Sequence, residues 1–205
     1  MSDSFEGIIS RFVWASAGFE AKLTAVRPVQ WAWPTPCTQW NVRQLASHMT
    51  RGNLSYARLA DGGTGAEFMR LRDADALGAN PADAYARSVR KCAAAFSRPG
   101  ALQRVLDYPL GQVTGQQALA VRTTDSTIHA WDLAQAIGAD DALDTGLVTW
   151  ISSELRQIYA GLAETPIAAQ TTHRFFAAPQ NDSDHDAPPQ DRLLRVMGRN
   201  PGRGH

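Results

Sequence analysis

Cysteine is scarce: the 205 residues include two, Cys37 and Cys92, far apart in the chain. They form no CxxC pair and no disulfide framework, which excludes a thiol-rich zinc module and a small cross-linked secreted fold. The plain reading is two free thiols in a reducing compartment. An excess of either charge is also missing, since 20 basic and 20 acidic residues cancel. Phosphate backbones and anionic membrane surfaces are bound by surplus Lys and Arg, so neither nucleic acid nor a membrane surface is expected as a partner. No apolar run approaches the roughly 20 residues of a bilayer span. The opening MSDSFEGIIS is acidic and lacks the basic stretch and apolar core of a secretory leader. A glycine-rich phosphate loop and a nucleophile elbow are absent too. A soluble, cytoplasmic protein is the expectation.

What is present is apolar periodicity. Hydrophobic residues make up 44% and charged residues 20%, the balance of an ordinary globular domain able to bury a core without staples. Phe5, Ile8, Ile9, Phe12, Val13 and Ala17 recur at helical spacing and predict a helix over about 4–25, stopped by Arg27-Pro28. VQWAWPTPCTQW reads as an irregular packed connection whose Trp31, Trp33 and Trp40 cover bundle ends. Asn41 with Gln44 makes a capping box for a second helix, which ends at Asp61-Gly62-Gly63. A short helix is expected around 66–72. Asn80-Pro81-Ala82-Asp83 opens a third long helix running to about Phe96. Alternating Leu106, Tyr108 and Leu110 before Gly111 read as a short strand or hairpin. A fourth helix covers roughly 116–137 and exits at Gly138, and a fifth runs from Thr145 to about Leu162. After Glu164 come a loop-like stretch, a short amphipathic piece DRLLRVMG and a basic tail RNPGRGH. The expected architecture is an all-α up-and-down bundle over 1–163 with a C-terminal extension over 164–205 packing on it.

Three side chains carry the candidate chemistry. Asp125 and His129 stand four apart on one face of the fourth helix, in the stripe of Ile128, Asp132 and Leu133 that should face the core. Taken alone this spacing commonly marks a surface ion pair. A carboxylate on a core-facing stripe, however, costs several kcal/mol or more unless it is paired or binds a metal. His48 lies on the inward stripe of the second helix with Leu45, Met49 and Tyr56. A lone histidine on such a face is commonly a satisfied core residue, but helix-borne ligands that converge inside a bundle also build metal sites.

Other residues carry two readings each. Asp132 either orients a metal ligand or pairs on the helix face with Arg122 or another base, and Arg122 is itself a candidate for supporting the site or contacting substrate. Asn53 either bonds substrate or is a surface amide. Cys37 reads first as a half-buried loop thiol, with a catalytic or fourth-ligand role as the lesser alternative. Trp131 packs the bundle. Asp182, Asp184 and Asp186 alternate as in a calcium loop, but alanine stands at 187 where the sharp turn needs glycine, so the run reads as a solvated loop. His173, His185 and His205 have no convergent partners in sequence.

The segments PTPCTQW, WNVRQLASHMTRGN, DSTIHAWDLAQAIG and APPQDRLLRVMGRNP together resemble the DinB-like family of actinobacterial proteins related to mycothiol-dependent maleylpyruvate isomerase. The resemblance implies a four-helix bundle with a long crossover. It implies a divalent metal held by His48, Asp125 and His129 with positions left for water or substrate. Zinc is the first choice, with nickel or another divalent ion as the alternative. It also implies a low-molecular-weight thiol such as mycothiol and an electrophile as small-molecule partners, in an S-transferase or isomerase-like enzyme. The isomerase branch has glutamate in place of Asp125, and a separate C-terminal domain that this chain is too short to include in full. The rival reading is a non-catalytic metal- or ligand-binding bundle, such as a stress-responsive accessory protein; a third is a bundle that has lost metal and serves assembly. A homodimer on exposed apolar helix faces accords with any of them. The enzyme reading calls for a cofactor-sized pocket beside the metal.

Overall fold

A computed structural model describes residues 7–38, 40–71, 74–162 and 186–202. The described helices are α1 (Ile8–Thr24), α2 (Val42–Ala60), α3 (Gly65–Leu71), α4 (Pro81–Phe96), α5 (Gly115–Ile137), α6 (Thr145–Ile158) and α7 (Pro189–Val196). One antiparallel hairpin, β1 (Val105–Tyr108) and β2 (Gly111–Thr114), pairs Val105 with Thr114 and Tyr108 with Gly111. No described helix is long and apolar enough to cross a membrane.

The helix starts follow from local hydrogen bonding. The Asn41 side chain accepts from the Gln44 amide at 2.9 Å while the Gln44 side chain accepts from the Asn41 amide at 2.9 Å, so two orphan donors of α2 are satisfied reciprocally. Asn80, Thr114 and Asp144 cap α4, α5 and α6 in the simpler way, each accepting from the amide three residues on. Gly138 ends α5 at φ 67°, a left-handed exit that a Cβ would penalise. The fifth sequence-expected helix stops earlier than its apolar pattern, at Ile158 rather than Leu162, where the chain turns through Gly161 at φ 72°.

Four long helices form the bundle. α1 packs on α4 and α5, and α2 packs on the same two, so α1 and α2 lie diagonally across the bundle. The tryptophan-bearing connection 25–41 therefore spans a diagonal, which places Trp40 beside α2. Phe12, Phe19, Leu45, Met49, Tyr85, Phe96, Leu119 and Ile128 fill the interior. α5 is the central element, with 18 of its 23 residues buried, so most of its polar residues find partners inside the protein, Ser126 Oγ excepted. Thr123, Thr124 and Thr127 do so by donating to the carbonyls four residues back. α6 packs on α5, and α7 packs on α6 through the buried Leu193 and Leu194. The NDSDHD run before Asp186, together with His173, His185 and His205, lies outside the described residues.

The start of α5 is fixed by a close approach. A Cβ at Gly115 would stand 2.1 Å from the Ala101 carbonyl oxygen, which is backbone and cannot swing aside. Gly115→Ala is therefore expected to destabilise the fold by about 1–3 kcal/mol, the range for overpacking. Chemical denaturation monitored by circular dichroism reads this as a lower midpoint at unchanged slope.

Candidate metal centre

α2 and α5 lie side by side, and the polar residues of both gather at their contact. His48 comes from α2; Asp125 and His129 come from successive turns of α5. His48 Nε2 lies 3.5 Å from Asp125 Oδ2, and His129 Nε2 lies 3.1 Å from Asp125 Oδ1. The three residues thus meet at one point, each offering a ligand atom within 4.8 Å of the others. The two imidazoles meet edge to face with centroids 5.2 Å apart, and Trp40 stacks on His48 at 4.3 Å. The His48 and Asp125 side chains are 21% and 14% exposed against 6% for His129, so the group opens to solvent on the α2 side.

A second ring of contacts holds these three. His129 Nδ1 lies 2.8 Å from Asp132 Oδ2. Asp132, fully buried, also accepts from Arg199 Nε at 3.0 Å, from Arg199 Nη2 at 2.6 Å and from the Cys37 thiol at 3.1 Å. Arg122, 1% exposed, donates to Asp125, to the Met49 carbonyl and, at 2.8 Å, to Asn53 Oδ1. The Asn53 amide in turn donates to Ser88 Oγ at 3.0 Å. Gly52 leaves the room for this guanidinium: a Cβ there would lie 2.6 Å from Arg122 Nη1.

Several sequence expectations are corrected here. Asn53 is not a surface amide; it is buried and holds Arg122. Asp132 does not pair with Arg122, which reaches Asp125 instead; it pairs with His129 and Arg199. Cys37 is half-buried, as read, yet its thiol contacts Asp132 and Arg199, and it forms with His129 and Asp132 a second group of ligand-type atoms. Arg199 was placed in a basic tail and is 6% exposed. It falls in the APPQDRLLRVMGRNP segment that carries the family resemblance, but no periodicity there distinguishes it from a solvated arginine. Trp131 packs in the bundle as expected, with its indole N–H on Asp141 at 3.2 Å.

The electrostatics divide the two histidines. Burial lowers His48 from 6.5 to about 4 against the pull of Asp125, so at neutral pH it carries no proton on one nitrogen and can ligate. Burial works against ionisation of Asp125, but His129, His48 and Arg122 together hold it well below the usual carboxylate range. Burial would also neutralise His129, but Asp125 and Asp132 outweigh it and raise the imidazole well above its ordinary value. Without metal, His129 is an imidazolium donating to a carboxylate from each nitrogen. A divalent ion would take the place of the Nε2 proton. Two imidazoles and one carboxylate form an open nitrogen/oxygen donor set, and the Asp132 bond to the other nitrogen of His129 fixes the tautomer that ligation requires. The residues fit a divalent metal.

The cleft beside the group is small. Lined by His48, Arg51, Tyr56, Tyr108, Arg122 and Asp125 among others, it encloses about 30 Å³. That is room for one or two waters, well short of the roughly 300–1,000 Å³ of a small-molecule pocket. The cofactor-sized pocket expected beside the metal is not found among the described residues that line this cleft.

Comparison with known proteins places these features. The model of the mycothiol maleylpyruvate isomerase N-terminal domain matches residues 14–134, a span holding all three converging residues. Two uncharacterized proteins from two strains of Mycobacterium tuberculosis are each 31% identical over 185 residues, covering 90% of this chain and 93% of theirs. Among solved structures, the mycothiol-dependent maleylpyruvate isomerase and a point mutant of it superpose with TM-scores of 0.56 and 0.57 at 15% and 14% identity. Both matches cover 72% of this chain and 68% of the other, and at that identity they establish the fold.

In protein stripped of metal, the His48 ring is expected to titrate near pH 4 and His129 to stay protonated above pH 6.5. The linkage signs are opposite. The unfolded chain protonates His48 first, so its contribution to stability falls as pH drops from about 6.5 to about 4. The His129 contribution is full below about 6.5 and is lost as pH rises through its raised native value. Ring-carbon and ring-nitrogen chemical shifts measured against pH check this, and two histidines both titrating near 6.5 would contradict it.

Proposed function

The chain belongs to the mycothiol maleylpyruvate isomerase N-terminal domain family, and on that premise we propose that it is a divalent-metal protein that acts on a low-molecular-weight thiol, as an S-transferase or isomerase-like enzyme. The observation that carries this reading is the convergence of His48, Asp125 and His129 on one solvent-open point. Zinc suits two imidazoles and a carboxylate, and nickel is accepted by the same donors. When bound, such an ion lowers the pKa of a coordinated thiol or water and polarises a carbonyl. A thiol such as mycothiol and an electrophilic small molecule are the partners this chemistry needs. Free Cys37 and Cys92 accord with a reducing compartment, the cytoplasm.

The chain's own residues set the terms of that chemistry. Asp132 keeps the His129 ring oriented with Nε2 toward Asp125. Arg122 neutralises part of the Asp125 charge from the buried side, which leaves the site a weaker electron donor than a bare carboxylate would make it. Trp40 fixes the plane of His48 and covers one face of it. Because the cleft is water-sized, a thiol as large as mycothiol lies across the mouth beside His48 rather than inside the bundle. The same cleft size favours the second reading, a metal-binding bundle without turnover.

Protein purified without added metal is expected to hold close to one divalent ion per chain by elemental analysis. Asp125→Asn and His129→Ala should weaken zinc binding at least tenfold, no less than outer contacts cost, and, because each leaves a buried charge short of its partner, should also lower the unfolding midpoint. Equal metal content in Asp125→Asn and parent would remove Asp125 from the ligand set. Zinc uptake near pH 7 should release a proton, that of His129, as read by calorimetry in buffers of different ionisation enthalpy. Metal-dependent consumption of an electrophile by a thiol panel separates the readings: turnover supports the enzyme, and full metal occupancy without turnover supports the binding protein.

A further inference from the structure

His129 belongs to two ligand-type groups at once. Its Nε2 faces Asp125 and His48, and its Nδ1 faces Asp132 and Cys37. On the second side a cation is already built in. The Arg199 guanidinium lies with Nη2 2.6 Å from Asp132 Oδ2 and 3.0 Å from Cys37 Sγ, and with Nε 3.0 Å from Asp132 Oδ1. Both carboxylate oxygens of Asp132 are thus engaged by one planar fork, the strongest geometry available to such a pair.

The guanidinium is delivered by a packed segment. α7 buries Leu193 and Leu194, Met197 behind it is buried as well, and Gly198 turns the chain at φ 77°. The Arg199 amide then donates to the Leu194 carbonyl at 2.8 Å, and its Nη1 donates to the Met197 carbonyl at 2.8 Å. Backbone and side chain are therefore both fixed before Asp132 is reached, 67 residues away in sequence. Asp132 needs this partner. It is wholly buried, and Arg199 engages both of its oxygens, whereas His129 and the Cys37 thiol reach only Oδ2. Released from that fork, the carboxylate could rotate, and the 2.8 Å contact of its Oδ2 with His129 Nδ1 that orients the ring would lose its anchor.

We propose that Arg199 is a positioning residue for the metal centre: by clamping Asp132 it holds the His129 ring in the orientation that presents Nε2 to Asp125 and His48. The proposal rests on the metal-binding reading above and makes the segment from α7 to Arg199 part of the site. Lysine cannot replace it, because a single ammonium does not span both oxygens of Asp132.

The test uses the full-length chain as Arg199→Ala, Asp132→Asn and the double variant. Zinc affinity is read by chelator competition, and the His129 Nδ1–H proton is read by nitrogen-15 NMR on metal-free protein. Arg199→Ala is expected to weaken zinc binding by about 10–100-fold, as loss of an outer contact does, and to abolish the slowly exchanging Nδ1–H signal. In the Asp132→Asn background the same substitution should add less than about twofold, since the effect passes through Asp132. Should Arg199→Ala fail to fold, Arg199→Lys keeps the charge and is expected to lose the Nδ1–H signal all the same. Parental zinc affinity and Nδ1–H exchange in a variant that is merely less heat-stable would overturn the proposal, as would a full effect in the Asp132→Asn background. If the parent itself binds no zinc, the metal-binding reading fails, while the Nδ1–H signal of the metal-free protein still decides the role of Arg199.

Discussion

The imidazole of His129 sits between the carboxylates of Asp125 and Asp132, and the burial of those charges dictates the surroundings. Each acid lies on the central helix of the bundle, where an unpaired carboxylate would be too costly to hold ionised. Each has therefore acquired an arginine: Arg122 on Asp125 and Arg199 on Asp132. The arginines bring further requirements. Arg122 demands the Asn53 amide, the Met49 carbonyl and a glycine at 52, and Arg199 demands α7 and the turn that follows it. A chain of obligations thus runs outward from one ring through α2, α5 and the C-terminal segment.

The two sides of that ring differ in a way that gives the site a direction. On the Nδ1 side the space is filled by Cys37, Asp132 and Arg199. On the Nε2 side His48 and Asp125 keep part of their surface exposed beside the cleft. Among the described residues, the more open side of the ring is therefore the Nε2 side. Trp40 borders it from the connection that crosses the bundle diagonal, so the position of α1 relative to α2 and the shape of the site's mouth are linked.

Much of this was legible in the sequence, because it rests on local signals. The capping box at Asn41, the proline-led start of α4 and the glycine stop of α5 each follow from hydrogen bonding within a few residues. The convergence of His48, Asp125 and His129 was legible from polar residues on stripes that otherwise face inward. Arg199 and Asn53 were not, because their partners Asp132 and Arg122 lie 67 and 69 residues away and leave no period to detect. The one available hint was α5 itself. A helix buried nearly all round is ordinarily apolar all round, and its threonines, arginine and two acids imply that partners must come from elsewhere. Cleft size was illegible as well, being set by how Tyr56, Tyr108 and Arg122 pack together rather than by their identities.

X-ray absorption at the zinc edge tests the central claim most directly. Zinc-loaded protein prepared free of any low-molecular-weight thiol should show a shell of light atoms at about 2.0–2.1 Å with the multiple-scattering signature of two imidazoles and no sulfur. A sulfur scatterer near about 2.3 Å would contradict the account, since it would move the ion to the Cys37 side of His129.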